Sequence, residues 1–169
     1  PDLPARREPE LADALAGLVR VPGGGEALTT PDASITVLGG FSARRAGAVL
    51  DVPPGRPTSL VQLLAVHGGR RPADAVIEAL WPGVEASSGR KRLRNVLNRL
   101  RESAGELVTR DGQALALAEG TSVDAVLFEE RATEAIAHPD DALSLDRARS
   151  ALALYPGEAL PDERYEDWA

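Results

Sequence analysis

Apolar positions along this chain change period several times, and each change marks an element. Leu11, Leu15, Leu18 and Val19 repeat at helical spacing over residues 1–21, with Pro9 near the first turn and Pro22 beyond the end, predicting a short amphipathic helix. Gly23-Gly24-Gly25 then breaks the chain as a linker. From Ile35 to Pro53 the runs Ile35–Leu38, Phe41–Arg45 and Val49–Val52 are short and β-rich, separated by Gly39-Gly40 and Ala46-Gly47, which predicts a small antiparallel meander. Helical spacing returns with Leu60, Leu63 and Leu64 in a helix capped by Thr58 or Ser59 and running to about His67, whose ring is placed to meet the terminal carbonyls. A second helix runs from Ala73 to Trp81, started by Pro72 and stopped by Pro82-Gly83, with Val76, Ile77, Leu80 and Trp81 buried.

The third helix, Ser87 to Ser103, carries the strongest pattern. Leu93, Val96, Leu97 and Leu100 fall on one face at i, i+3, i+4, i+7, with Ser87 or Ser88 as the cap. Lys91, Asn95, Asn98 and Glu102 lie opposite that stripe, Arg92 and Arg99 on one flank, Arg90, Arg94 and Arg101 on the other. Between Ser87 and Arg101 there are six basic residues and no acidic one. A hairpin follows, Glu106–Arg110 and Gln113–Leu117 around Asp111-Gly112, a type I′ turn signal, with Leu107, Leu115 and Leu117 facing inward and Arg110 beside the turn. Two further helices close the chain. One runs from an Asp124 cap to Ala137, with Leu127, Phe128, Ala132, Ala135 and Ile136 apolar; the other from Asp140 or Asp141 to Leu154, with Ala142, Leu145, Ala148, Leu152 and Leu154 apolar. Trp168 and Tyr165 in the acidic final stretch are expected to dock on a groove rather than hang free.

Strands, two helices, a basic helix and a terminal hairpin in that order describe an α+β fold: a winged helix-turn-helix with an N-terminal antiparallel β-meander and a C-terminal wing hairpin, followed by a helical hairpin of tetratricopeptide type. The expected divisions are residues 1–34, an N-terminal helix and glycine-rich linker; 35–118, the winged-helix domain; and 119–169, a partial helical segment.

Charge is distributed unevenly enough to overrule its total. The net charge of −7 divides into −3 over residues 1–34, +5 over 35–118 and −9 over 119–169. A local basic surface, more than the total, marks a nucleic-acid binder. Arginines reach phosphates or guanine edges and carboxamides pair with adenine, so the exposed face of the third helix suits a DNA groove, with Arg110 adding a contact from the wing. A solvated helix whose arginines serve solubility is the plain alternative.

Other chemistry finds little support. The chain has no Cys, no Met and two histidines, His67 and His138, far apart. No disulfide framework, metal site, cofactor or catalytic function is expected, and adjacent carboxylates such as Glu129-Glu130 and Glu166-Asp167 point about 100° apart on a helix. No apolar run approaches the ~18 residues of a membrane span and no signal peptide precedes the domain, so no membrane contact and a cytoplasmic location are expected. A chain starting at Pro1 without methionine is expected to be a fragment of a longer product.

Leu38-Gly39, Leu63-Leu64-Ala65, Ile77-Glu78-Ala79-Leu80-Trp81-Pro82, Val96-Leu97-Asn98-Arg99-Leu100-Arg101, and Val123-Asp124 with Phe128 fall in an order and spacing that resembles the actinobacterial antibiotic regulatory proteins, the SARP family. In that family an OmpR/PhoB-type winged-helix domain precedes a bacterial transcriptional activator domain (BTAD). The residues after Gly112 depart from the family's usual Gly-Tyr wing, being Gln113 and Ala114. The resemblance implies a transcriptional activator that binds double-stranded DNA at direct repeats, monomeric in solution and pairing on DNA. It also implies recruitment of RNA polymerase, with the loop Trp81, Pro82, Gly83, Val84 and Glu85 as a polymerase contact. Of the helix residues, Arg94, Asn95 and Asn98 are then expected to read bases, Lys91 to be shared between base and phosphate, and Arg90, Arg92, Arg99 and Arg101 to hold phosphates. A second hypothesis, a winged-helix adaptor module of a larger signalling protein that binds protein and not DNA, accounts for the same fold.

Overall fold

In the computed structural model, residues 32–138, 143–164 and 166–169 are described. The expected helix and linker of residues 1–31, the caps Asp140 and Asp141, Ala142 and Tyr165 lie outside them. The described chain is mixed α/β, with five helices and two sheets: β1 (Ala33–Thr36), β2 (Ser42–Arg45), β3 (Ala48–Val49), α1 (Arg56–Val66), β4 (Arg70–Pro72), α2 (Ala73–Leu80), α3 (Ala86–Ala104), β5 (Val108–Asp111), β6 (Ala114–Leu117), β7 (Thr121–Val123), α4 (Asp124–Ala137) and α5 (Ser144–Leu152).

The first sheet has the order β3-β2-β1-β7. Its meander is antiparallel, Ile35 opposite Ala43, but β1 begins two residues earlier than the sequence pattern indicates and a fourth strand, β7, joins β1 in parallel. The cause lies in where the main chain of Val37 and Leu38 finds partners. Their N–H groups donate to Asp124 Oδ1 at 2.9 Å and Oδ2 at 3.1 Å, so these residues leave the β1–β2 ladder. Asp124 also accepts from Ala125 N at 2.8 Å and is the first residue of α4, with Val123 at the cap position. The expected Asp124 cap is thus a clamp between the end of β1 and the start of α4. The C-terminal segment completes it: Leu160 N donates to Val37 O, Gly39 N donates to Glu158 O, and Leu38 bridges to Ala159.

The second sheet, β4-β6-β5, contains a strand that the sequence pattern conceals. Gly68 and Gly69, both at positive φ, turn the chain after α1 so that Arg70–Pro72 pairs with β6. The hairpin is shifted by one residue from expectation. Asp111 pairs with Ala114, leaving Gly112-Gln113 as the two-residue loop. Gly112 has φ +60, while Gln113 is not among the described non-glycine residues at positive φ, which is the II′ pattern rather than I′.

Helix starts also differ. α1 starts at Arg56 after Gly55, and Thr58 and Ser59 turn their hydroxyls to Pro53 O and Gly55 O instead of capping. Pro57 fits this start, because the first turn needs no N–H donor from it. His67 Nδ1 lies 3.0 Å from Leu63 O, at the helix end as expected.

One apolar cluster joins both sheets to α1, α2 and α3. Ile35, Leu60, Leu63, Leu64, Val76, Leu80, Leu93, Leu100, Leu107 and Leu115 are its large members, and Leu160 and Trp168 enter it from the C-terminal segment. Trp168 therefore docks, whereas Trp81 is only half-buried against the core. In α4 and α5 the pattern misled more: Ile136, Leu145 and Leu152 are exposed, and small Ala135 and Ala151 are the buried positions. Ser144 Oγ donates to Ala135 O, Arg147 lies 3.8 Å from Glu134, and Arg131 reaches Ser150 O, so α5 runs antiparallel to α4. Alanines let the two helices approach closely, which displaces the leucines outward. No helix among the described residues is long and apolar enough to cross a membrane.

Candidate nucleic-acid interface

α3 is anchored through Gly89, Leu93, Val96, Leu100 and Ala104, all buried. Each leucine or valine fully removed from water contributes roughly 1.5–3 kcal/mol, enough to fix the helix although its other faces are charged. Gly89 sets its distance from α2, because a Cβ there would overlap Ile77 Cγ2. Glu85, not Ser87 or Ser88, caps the helix: its carboxylate accepts from the N–H groups of Ser87 and Ser88 and from the Ser87 hydroxyl. Gly105 at φ +66 ends it.

The hydroxyl bond from Ser87, then the two main-chain bonds, with Arg90 adding its charge, hold the Glu85 carboxyl below its ordinary pKa. A carboxyl whose folded pKa is depressed stabilises the fold above the unfolded value and loses that contribution as pH falls through the folded one. Acidification is therefore expected to free the Ser87 and Ser88 amides before global unfolding. Amide hydrogen exchange across an acid titration measures this, and Glu85→Gln should flatten the dependence; unchanged protection of both amides at low pH would contradict the cap.

Every basic or carboxamide position singled out on α3 is exposed: Arg90, Lys91, Arg92, Arg94, Asn95, Asn98, Arg99 and Arg101. They do not form one uniform surface. Lys91, Asn95 and Asn98 face away from the core, with Arg92 and Arg99 to one side. Arg90 and Arg94, on the other side, line a groove of about 480 Å³ together with Leu93, Leu97, Arg110, Gln113, Ala73 and Asp74. Arg101 is already engaged, its Nη2 2.7 Å from Glu106 Oε1; both side chains are largely exposed, so the pair holds weakly, at about 0–1 kcal/mol.

The hairpin is held against this groove from two directions. Arg70 Nη2 lies 2.8 Å from Asp111 Oδ2, tying β5 to β4, and Ala73 N donates to Gln113 O at 2.9 Å, tying the loop to the start of α2. Arg110 Nε donates to Gly112 O at 3.2 Å, which keeps its guanidinium at the hairpin tip. Gln113 and Asp74 are groove residues that the sequence reasoning missed. Their only signal was position, one beside a turn glycine and the other in the first turn of a helix.

The α2–α3 connection forms a tight turn, with Val84 N donating to Trp81 O at 3.2 Å and Gly83 at φ +71. Pro82, Gly83 and Glu85 are exposed, Trp81 and Val84 half-buried.

The fold has a counterpart among solved structures. Mycobacterium tuberculosis EmbR, solved in complex with a low-affinity phosphopeptide, superposes with a TM-score of 0.62 at 18% sequence identity. The chain is similar in fold to EmbR. The match covers 79% of this chain and 38% of the EmbR chain, so the chain spans well under half of EmbR's length. No protein-family model matches the sequence, and no curated protein matches it. The EmbR likeness therefore establishes the fold, while the chemistry of the groove rests on the residues placed around it.

Proposed function

We propose that this chain is a sequence-specific DNA-binding transcriptional regulator of the SARP kind, in which α2, the Trp81–Glu85 turn and α3 form the helix-turn-helix and the β5–β6 hairpin is the wing. The observation that carries the proposal is the groove in which Arg90 and Arg94 of α3 meet Arg110 of the hairpin, beside a helix anchored in the core through Leu93, Val96 and Leu100, with Leu97 half-buried at the groove wall. Two elements presenting guanidinium groups across one concavity match a duplex, which offers phosphates on both rims of a groove and base edges at its floor. In this proposal Arg94, Asn95 and Asn98 read bases in the major groove, Lys91 serves base and phosphate, and Arg90, Arg92 and Arg99 hold phosphates. Arg101 joins them when its exposed pair with Glu106 opens, and Arg110 contacts the adjacent minor groove or its phosphates.

The finer expectations belong to the same proposal: α4 and α5 as the first tetratricopeptide-like hairpin of an activator domain over residues 119–169, activation through RNA polymerase touching the Trp81–Glu85 loop, head-to-tail pairing of monomers on direct repeats, and a cytoplasmic, non-enzymatic role. Antiparallel α4 and α5 packed through alanines support the first of these.

Fluorescence anisotropy with genomic DNA fragments tests the binding. If four to six basic side chains meet phosphates, log affinity is expected to fall with log salt at a slope of roughly −4 to −5. Arg94→Ala/Asn98→Ala should keep most of that slope while losing about 1–3 kcal/mol per contact at preferred sites. Absence of binding by the wild type at low salt would replace the regulator by a protein-binding adaptor.

A further inference from the structure

The groove lined by Arg90, Arg94 and Arg110 contains one acid, Asp74, and its placement is unusual for a surface that meets phosphate. Asp74 sits in the first turn of α2 and is exposed. No ion pair occupies it among the described residues, whereas Asp111 and Glu106 nearby are each engaged by an arginine. Its backbone is fixed, since the preceding residue donates to Gln113 O in the hairpin loop. The main chain of Asp74 thus stays at the groove wall whichever way the arginines turn.

Resting on the DNA-binding proposal, we infer that Asp74 is a specificity-determining residue: it lowers the groove's affinity for DNA of arbitrary sequence and favours the orientation of Arg94 that reaches base edges. When DNA offers the matching bases, the Arg94 guanidinium lies across the groove floor beside the carboxylate, which neutralises part of its charge and steers its fork. When it does not, Arg94 swings to a phosphate and leaves the carboxylate facing the polyanion uncompensated. The acid therefore penalises the non-specific complex more than the specific one. Specificity is a difference of affinities, and a repulsive group aimed at the wrong complex widens it.

The test uses the full chain and two duplexes of equal length, one enriched from a random pool by this chain and one with the same composition scrambled. Asp74→Asn removes the charge and keeps the shape. It is expected to tighten binding to the scrambled duplex roughly three- to tenfold at low salt, with the gain shrinking as salt screens the carboxylate, while the enriched duplex binds no more tightly than before. Asp74→Glu should restore wild-type discrimination. Equal tightening on both duplexes, or no change on either, overturns the inference. Loss of affinity on the enriched duplex with no tightening on the scrambled one also overturns it, since the acid would then oppose nothing in the non-specific complex. Failure of the wild type to enrich any duplex is a different result, and refutes the DNA-binding proposal itself.

Discussion

Trp168→Ala is expected to lower unfolding free energy by about 3 kcal/mol, the low end of what removing a buried tryptophan costs, because the residue lies near the edge of the core. Trp168 is 9% exposed and belongs to the same cluster as Ile35, Leu60 and Leu64. It arrives there on a segment held at several points: Leu160 is buried, Ser59 Oγ donates to Glu163 Oε1 at 2.7 Å, and Arg56 lies 3.3 Å from Glu166. The ion pair is more than one-third exposed and adds little. Deleting the indole removes the apolar anchor and leaves those polar ties to hold the segment alone. Trp168→Phe should lose much less, since the buried indole Nε1 has no hydrogen-bond partner among the described residues and phenylalanine removes that unpaired donor. Urea unfolding followed by circular dichroism measures both. A Trp168→Ala loss below about 1 kcal/mol would mean that the segment does not depend on this anchor.

A second large loss is expected at the Asp124 clamp. Asp124→Ala leaves the N–H groups of Val37 and Leu38 without their acceptors in a partly buried site. Each orphaned donor costs about 1–3 kcal/mol when water cannot replace the partner; partial exposure puts the sum near 2–4 kcal/mol. Asp124→Asn is no remedy. A carboxamide offers one oxygen where two main-chain donors require two, and turns its NH2 group toward the other. Both variants should lose stability in chemical unfolding, and hydrogen exchange should speed selectively at Val37 and Leu38. If those two amides stay protected in Asp124→Ala, the clamp is not what holds them. Because the same site receives Leu160 N at Val37 O, the loss should add less than independently to that of Trp168→Ala, a coupling that the double variant measures.

Periodicity alone determined much about this protein. The i, i+3, i+4, i+7 repeat from Leu93 to Leu100 specified both the helix and its buried face, since a helix with one apolar stripe has one way to satisfy it, and the exposed basic face followed. Leu60, Leu63 and Leu64, and Val76, Ile77 and Leu80, were legible for the same reason. A two-residue turn at Gly112 was visible, and only its register was not, because one residue of slip leaves the local pattern almost unchanged while moving Asp111 into reach of Arg70. What tertiary structure decided were interactions between residues far apart in sequence. Asp124 looked like a helix cap because its local role resembles one, yet two of its three main-chain donors are 86 and 87 residues away. β4 and β7, each three residues long, have too few positions to show a period and form only because β6 and β1 present unpaired edges. Leu145 and Leu152 read as core because apolar spacing cannot state how closely two helices approach; Ala135 and Ala151 set that distance and left the leucines outside. The groove shows the same division: its arginines on α3 were fixed by sequence, whereas the company of Arg110, Gln113 and Asp74 required the fold, since main-chain pairing between β6, β4 and the start of α2 brings the hairpin to that helix.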